Sequence, residues 1–148
     1  MTPADFCALH VPALERDEVR QNLILGILAW MVAGDRGTIL TWTLGPPGHC
    51  AIKAQGRPIV LGDLSEAECR ALAEMTMEVD YPGVTGVGST AAWFADRARE
   101  LGIAFLDPIP QRIHSLTGPP TYPGAPGYAR PATAGDAILL AVPCVRIH

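Results

Sequence analysis

Three glycines stand close together in Gly83-Val84-Thr85-Gly86-Val87-Gly88, directly before a stretch with helical periodicity. Glycines let the backbone approach a ligand closely, and the free N–H groups at a helix N-terminus attract anions. The segment is compatible with a phosphate-binding loop, but a turn that only caps the helix is the favoured interpretation. If it is a loop, the residues that bind the cofactor are Gly86, Val87, Gly88, Ser89 and Thr90.

Side chains suited to acid–base catalysis are few and poorly placed. Glu74 and Glu78 fall between core positions of a predicted helix, and Asp80 falls in its last turn. Charged side chains at such positions normally face water. Tyr122 and Tyr128 fall in or beside a Pro/Gly-rich segment that would hold neither of them firmly. The sequence therefore assigns no catalytic group.

Cysteine and histidine suggest at most half of a metal site. Cys7-x-x-His10 and His49-Cys50 each offer two ligands, whereas a zinc site takes three or four from the protein. No C-x-x-C pair and no Gly-x-Ser-x-Gly elbow occurs. Reduced, buried cysteines with surface histidines are the favoured interpretation, and no metal is predicted.

Composition and charge indicate a globular chain and exclude several function classes. The 148 residues are 49% hydrophobic and 18% charged, with a formal net charge of −4, and no two Lys or Arg residues are adjacent. Nucleic-acid binding draws on clustered cations, so it is excluded. The longest apolar run, Leu23–Ala33, is shorter than the roughly 20 residues that a bilayer span needs. Because the N-terminus has no basic flank, we expect no secretory signal and a cytoplasmic protein.

Two helices are predicted before the first strand. Thr2 and Pro3 are typical of a helix start, and Pro12 predicts an end near His10 because proline disfavours helical geometry in the preceding residue. A second helix is predicted from about Arg16 to Ala33. From Leu23 onward it is apolar almost all round, so we expect it to be covered on every side, by the sheet or by a partner.

The remaining pattern predicts an α/β or α+β fold with a mixed, mostly antiparallel central sheet flanked by helices. The predicted strands, in an antiparallel meander, are Thr38–Leu44, Cys50–Ala54 and Pro58–Leu61. Helices are predicted after the capping box Ser65-Glu66-Ala67-Glu68 and over Ala91–Leu101. Ile103–Leu116 is predicted as a strand that breaks at its prolines and resumes at Arg112.

Short blocks spread over nearly the whole chain resemble bacterial proteins of the GNAT (GCN5-related N-acetyltransferase) family that are built from two GNAT-like lobes. The blocks are Asp5-Phe6, Leu14–Glu18, Asn22–Ile27, Pro82–Val84 with Trp93-Phe94-Ala95, Gln111–Leu116, and Gly127–Thr133 with Asp136 and Leu139-Leu140. The resemblance implies a degenerate acyl-CoA N-acyltransferase lobe over residues 1–117, a Pro/Gly-rich linker over 118–128 and the start of a truncated second lobe over 129–148.

The resemblance implies two alternative functions. The favoured one is a non-catalytic structural or regulatory lobe that pairs with a second lobe or as a homodimer. The other is an acetyl-CoA-dependent N-acetyltransferase acting on a small-molecule or protein amine, with acetyl-CoA held at Gly86–Thr90. The family loop reads Gln/Arg-x-x-Gly-x-Gly/Ala and normally follows a strand. Here Gly83 stands where Gln or Arg belongs, and Asp80-Tyr81-Pro82 is a poor strand sequence.

Overall fold

The computed structural model describes residues 1–34, 38–106, 108–113, 115, 118 and 130–137. The chain divides into two compact units, Met1–Ser115 and Leu116–His148. In the first unit the described elements are α1 (Pro3–Leu14), α2 (Glu18–Val32), β1 (Ile39–Thr43), β2 (Cys50–Ala54), β3 (Ile59–Leu61), α3 (Glu66–Met75), β4 (Val84–Thr85) and α4 (Gly88–Glu100), with a 3-10 turn at Glu15–Asp17 between α1 and α2.

The four strands form one mixed sheet in the order β1-β2-β3-β4. The first three pair antiparallel, with Thr43 opposite Cys50 and Ala51 opposite Leu61, which confirms the predicted meander. β4 pairs parallel to β3, and α3 makes the crossover between them. The prediction of a mixed, mostly antiparallel sheet with flanking helices is confirmed.

Alternating residues of the sheet divide the core into two apolar layers, because successive side chains in a strand point to opposite faces. One layer joins the sheet to α3 and α4; its buried members are Ala51, Ile59, Leu61, Leu64, Cys69, Leu72, Ala73, Phe94 and Ala98. The other joins the sheet to α1 and α2; its buried members are Phe6, Cys7, Leu14, Ile24, Leu28, Cys50, Ile52 and Val60. The sheet therefore lies between two pairs of helices.

The first helix runs further than predicted. α1 continues through Pro12 to Leu14, so the predicted end near His10 is wrong. Phe6, His10 and Leu14 are all buried at a spacing of four residues, and packing of this face outweighs the one backbone hydrogen bond that Pro12 cannot donate. The ring of Pro12 itself is exposed.

The second helix is covered on one side only. α2 confirms the predicted span to within two residues, and it buries Gln21, Ile24 and Leu28. Its opposite side is exposed, although the all-round apolar pattern predicted cover on every side. Within the first unit the sheet and α1 can contact only part of the helix circumference, which leaves the outward face in water.

Two C-terminal predictions differ from the structure or lie outside it. No strand forms in the described residues of 103–115, because Pro108 and Pro110 cannot donate ladder hydrogen bonds. The predicted linker, apart from Gly118, lies outside the described residues.

In the second unit, Ala134–Asp136 forms a 3-10 turn, and Asp136 accepts hydrogen bonds from Thr133 and Arg130. Among the described residues no helix has the length and hydropathy needed to cross a bilayer.

Candidate functional site

Three connections between elements of the first unit lie at one edge of the sheet. The parallel strands β3 and β4 both end there, and each is followed by a helix that begins at that edge. The β1–β2 turn lies at the same edge, because Thr43 pairs with Cys50 and Ala51 pairs with Leu61. In open α/β sheets, ligands bind outside the carboxyl ends of parallel strands. This edge, with the N-termini of α3 and α4, is the candidate site.

The segment Gly86–Thr90 forms the connection from β4 into α4. Val87 occupies the N-cap position, with no hydrogen bond from its side chain, and the Thr90 hydroxyl donates to the Val87 carbonyl at 2.8 Å. Gly88 and Ser89 are exposed in the first turn, where backbone N–H groups have no acceptor within the helix. The arrangement can hold an anion by its amides alone.

Glycine is required at one of the two loop positions and optional at the other. A Cβ on Gly86 would lie 2.9 Å from Thr90 Oγ1 and 3.0 Å from Leu61 Cβ, so a side chain there forces a neighbour to move. A Cβ on Gly88 would meet nothing within 4 Å. Asp80–Pro82 forms no strand, as its sequence indicated, but the two-residue strand Val84–Thr85 pairs with β3 immediately before the loop. The signal was hidden because only two residues pair.

The N-terminus of α3 is already filled by a carboxylate of its own helix. Glu68 accepts hydrogen bonds from the Ser65 backbone N–H at 2.8 Å and from the Ser65 hydroxyl at 2.7 Å, which confirms the predicted capping box. Partial burial acts to raise the pKa of Glu68, but the hydrogen bonds from Ser65 and His49 together lower it below its ordinary value. The ionised carboxylate repels any second anion at this helix end.

His49 completes this cluster from the β1–β2 turn. Its Nδ1 lies 2.8 Å from Glu68 Oε2, and because an ionised carboxylate can only accept, Nδ1 carries the proton. A Cβ on Gly45 would overlap Glu68 Oε1, so the turn closes tightly over the pair. The partners are nineteen positions apart in the sequence, so no local signal predicts this contact. The pair fastens the turn to α3.

His10 is fully buried and fastens α1 to the same turn. The Gly48 N–H donates to its Nδ1 at 3.1 Å, and its Nε2 lies 2.9 Å from Thr43 Oγ1. Nδ1 is therefore the acceptor and Nε2 carries the proton, which fixes a neutral imidazole. Burial, and secondly the charge of His49, lower the pKa of His10. The sequence suggested surface histidines, and for His10 that interpretation was wrong.

The half metal sites of the sequence do not assemble in the described part of the chain. Cys7 Sγ points to the Leu28 carbonyl at 3.9 Å, while the ring of His10 turns to Thr43. No group of three or more potential ligands forms among the described residues. Burial raises the pKa of the Cys50 thiol to about 12, which fits an unreactive, reduced cysteine.

The candidate acids do not meet the Gly86–Thr90 loop. Glu74 lies near the C-terminal end of α3, at the opposite edge of the sheet, where it pairs with Arg97. Glu78 and Asp80 follow at that same far edge and are exposed. Tyr122 and Tyr128 lie outside the described residues. None of the three described candidates thus lies beside the loop.

Comparison with known proteins identifies no relative of this chain. No protein-family model, no curated protein and no solved structure matches it.

Proposed function

We propose that the Met1–Ser115 unit is a GNAT-like lobe with a non-catalytic structural or regulatory role, and that it pairs with a second copy of itself through the outer face of α2. One observation carries the proposal. Val19, Leu23 and Trp30 are 47%, 50% and 69% exposed on this helix, although a helix of this composition gains stability only by covering such side chains.

The exposed side chains form one continuous stripe. With 3.6 residues per turn, Val19, Leu23, Gly26 and Trp30 fall on the same side of α2, opposite the buried Ile24 and Leu28. Asn22 is the polar residue nearest to the stripe. A contiguous apolar surface on a folded unit marks an interaction site more often than chance exposure.

The stripe is complementary to itself. It holds one very large side chain, Trp30, and one residue without a side chain, Gly26, around which there is open space. An antiparallel two-fold pairing places Trp30 of each copy over Val19 of the other and Leu23 over Gly26. Such isologous contacts close into a dimer, antiparallel helix dipoles favour them, and buried tryptophan is a frequent source of interface energy.

Sedimentation velocity over a range of protein concentrations tests the pairing. The wild-type chain should form a dimer, and Leu23→Glu or Trp30→Glu should leave a folded monomer because a charge would be buried in the contact. Met75→Glu is the matched control, since Met75 is 58% exposed on α3, away from the stripe. A folded wild-type monomer at every concentration, or equal dissociation of the control, would refute the proposal.

The second candidate function is acetyl-CoA-dependent N-acetyl transfer, with the cofactor bound at Gly86–Thr90. The observation in its favour is the β4–loop–α4 connection: the loop follows a strand, Gly86 allows close packing against Leu61, and the first turn of α4 has no side-chain cap. Phosphate oxygens accept hydrogen bonds from such amides. The candidate acids Glu74, Glu78 and Asp80 lie at the other end of the sheet and do not support the transfer step.

A thermal-shift titration separates the two functions. Acetyl-CoA at ten times its dissociation constant should stabilise a binding-competent chain by about 1.4 kcal/mol through linkage. Gly88→Asp should abolish the shift by repulsion, since its side chain has room, whereas Gly83→Asp, which also enters open space, should not. Absence of any shift at millimolar acetyl-CoA would dispose of this function and leave the pairing lobe.

A further inference from the structure

A second apolar surface lies in the groove between α1 and α2, on a different side of α2 from the exposed stripe. The groove has a volume of about 720 Å³. Its lining residues are Cys7, Ala8, Val11, Pro12, Glu15, Glu18, Leu25, Leu28, Ala29 and Val32. Eight of these ten are apolar, and the two carboxylates stand together at one end.

The groove runs along most of α2. Its α2 wall extends from Glu18 to Val32, which at 1.5 Å per residue is about 21 Å. A groove between two helices is the place where a third helix inserts a ridge of its side chains.

The acidic end of the groove selects the charge of its occupant. Glu15 and Glu18 both line the groove, at the turn that joins α1 to α2. Among the described residues, no cation lies within 4 Å of either carboxylate, whereas the neighbouring Asp17 is paired with Arg20 at 3.4 Å. The formal net charge of −4 on the whole chain also favours a basic partner.

We propose that this groove docks an amphipathic helix of a partner protein, with an apolar ridge along the groove and a Lys or Arg against Glu15 and Glu18. The partner helix would need about 14 residues to match the groove length, with apolar side chains at i, i+4, i+7 and i+11. A second copy of this chain does not supply that pattern from α2, since its one basic residue, Arg20, is already held by Asp17.

Selection from a phage-displayed library of helical 16-residue peptides tests this proposal on the full-length chain. Wild-type protein should select peptides with the apolar spacing above and a Lys or Arg at one end. Ala29→Phe, and independently Ala8→Phe on the facing wall, should fill the groove and lose the selected peptides. Failure to select any binder, selection without a basic residue, or binders that tolerate both filling substitutions would overturn the proposal.

The affinity of the strongest selected peptide tests the charge assignment. Glu15→Gln with Glu18→Gln should weaken binding about tenfold, since each exposed ion pair contributes up to about a factor of five. Glu66→Gln is the matched control, because Glu66 is the first residue of α3 as Glu18 is of α2, and it should change nothing. Equal weakening in the control would refute the assignment.

Two further experiments test whether another segment occupies the groove. Leu23→Glu, which should break self-pairing, should leave peptide affinity unchanged, so the two proposals fail separately. A synthetic peptide of residues 18–34 and one of residues 129–148 serve as competitors. Displacement of the selected peptide by the first would assign the groove to a second copy, and displacement by the second would assign it to the chain's own C-terminal segment; either result overturns the partner helix.

Discussion

The two pairs of helices cover opposite faces of one sheet, but their solvent-facing surfaces differ in composition. Arg97, on α4, binds Glu74 and Glu100, and Glu100 also binds Arg70, so charged side chains link α3 and α4 across their outer surface. α2 presents Trp30 to water instead, with no such network around it in the described residues. The outer surface of α3 and α4 therefore carries linked charges, whereas that of α2 includes an exposed aromatic side chain.

This difference shows that burial in the core does not account for all the apolar residues of the chain. The α3–α4 pair needs only the sheet to cover its apolar stripe, while α1 and α2 have an inner stripe on the sheet and further apolar surface outside it. This additional apolar surface is the basis of the proposal that α2 pairs with a second copy of the chain.

The largest expected contrast is between two aromatic residues, one in each pair. Phe94→Ala should lower the free energy of unfolding by about 3–5 kcal/mol, because the ring is fully buried against Tyr81 and Phe105. Trp30→Ala should change the stability of the monomer by less than about 0.5 kcal/mol, since the indole is mostly exposed. Urea denaturation of dilute samples measures both. A large loss for Trp30→Ala would mean that the indole packs within the monomer.

A second contrast concerns how the contributions of the two helix pairs to stability change at acidic pH. The pKa of His10 is lowered by burial and by His49, so the unfolded chain binds its proton more readily, and stability falls as the pH drops below about 6.5. The pKa of Glu68 is lowered by its hydrogen bonds against an opposing effect of burial, so its contribution is present above pH 4.5 and is lost below that value.

Unfolding free energies between about pH 3 and 8 separate the two contributions. His10→Gln should flatten the upper part of the curve, near pH 6.5, and leave the lower part. Glu68→Gln should flatten the lower part, because the amide does not titrate but can still accept the hydrogen bonds of the capping box. Identical curves for wild type and His10→Gln would mean that the buried imidazole is not held neutral.

The smallest effect is expected at the buried Tyr81 hydroxyl, which makes no hydrogen bond of acceptable geometry in the described part of the chain. Burial raises the pKa of Tyr81, and the nearby Thr76 hydroxyl only partly opposes this effect. Tyr81→Phe should leave stability unchanged or raise it slightly, because no bond is lost and no polar atom stays buried. Thr76→Val is the comparison: its hydroxyl donates to the Leu72 carbonyl at 2.9 Å, so its loss should cost about 1 kcal/mol. A clear loss in Tyr81→Phe would reveal a partner for the hydroxyl.

Elements whose signals are local could be predicted from the sequence. The Ser65–Glu68 box begins α3, the three antiparallel strands fall within a residue of their predicted bounds, and the Gly86–Thr90 segment leads into a helix as expected. Each depends on residues a few positions apart, where caps, turns and alternation act directly on the backbone.

Contacts between distant segments were decided only by the tertiary structure. The ring of His10 contacts Thr43 and Gly48, which lie 33 and 38 positions away in the sequence. His49 contacts Glu68, 19 positions away, and neither contact has a sequence pattern. β4 forms because it can pair with the free side of β3. α1 continues through Pro12 because the packing of its buried face outweighs the backbone hydrogen bond that Pro12 cannot donate. The sequence by itself determined which residues are apolar and favour burial. Which of them are buried depended on where the sheet places each helix, and one apolar face of α2 remains exposed.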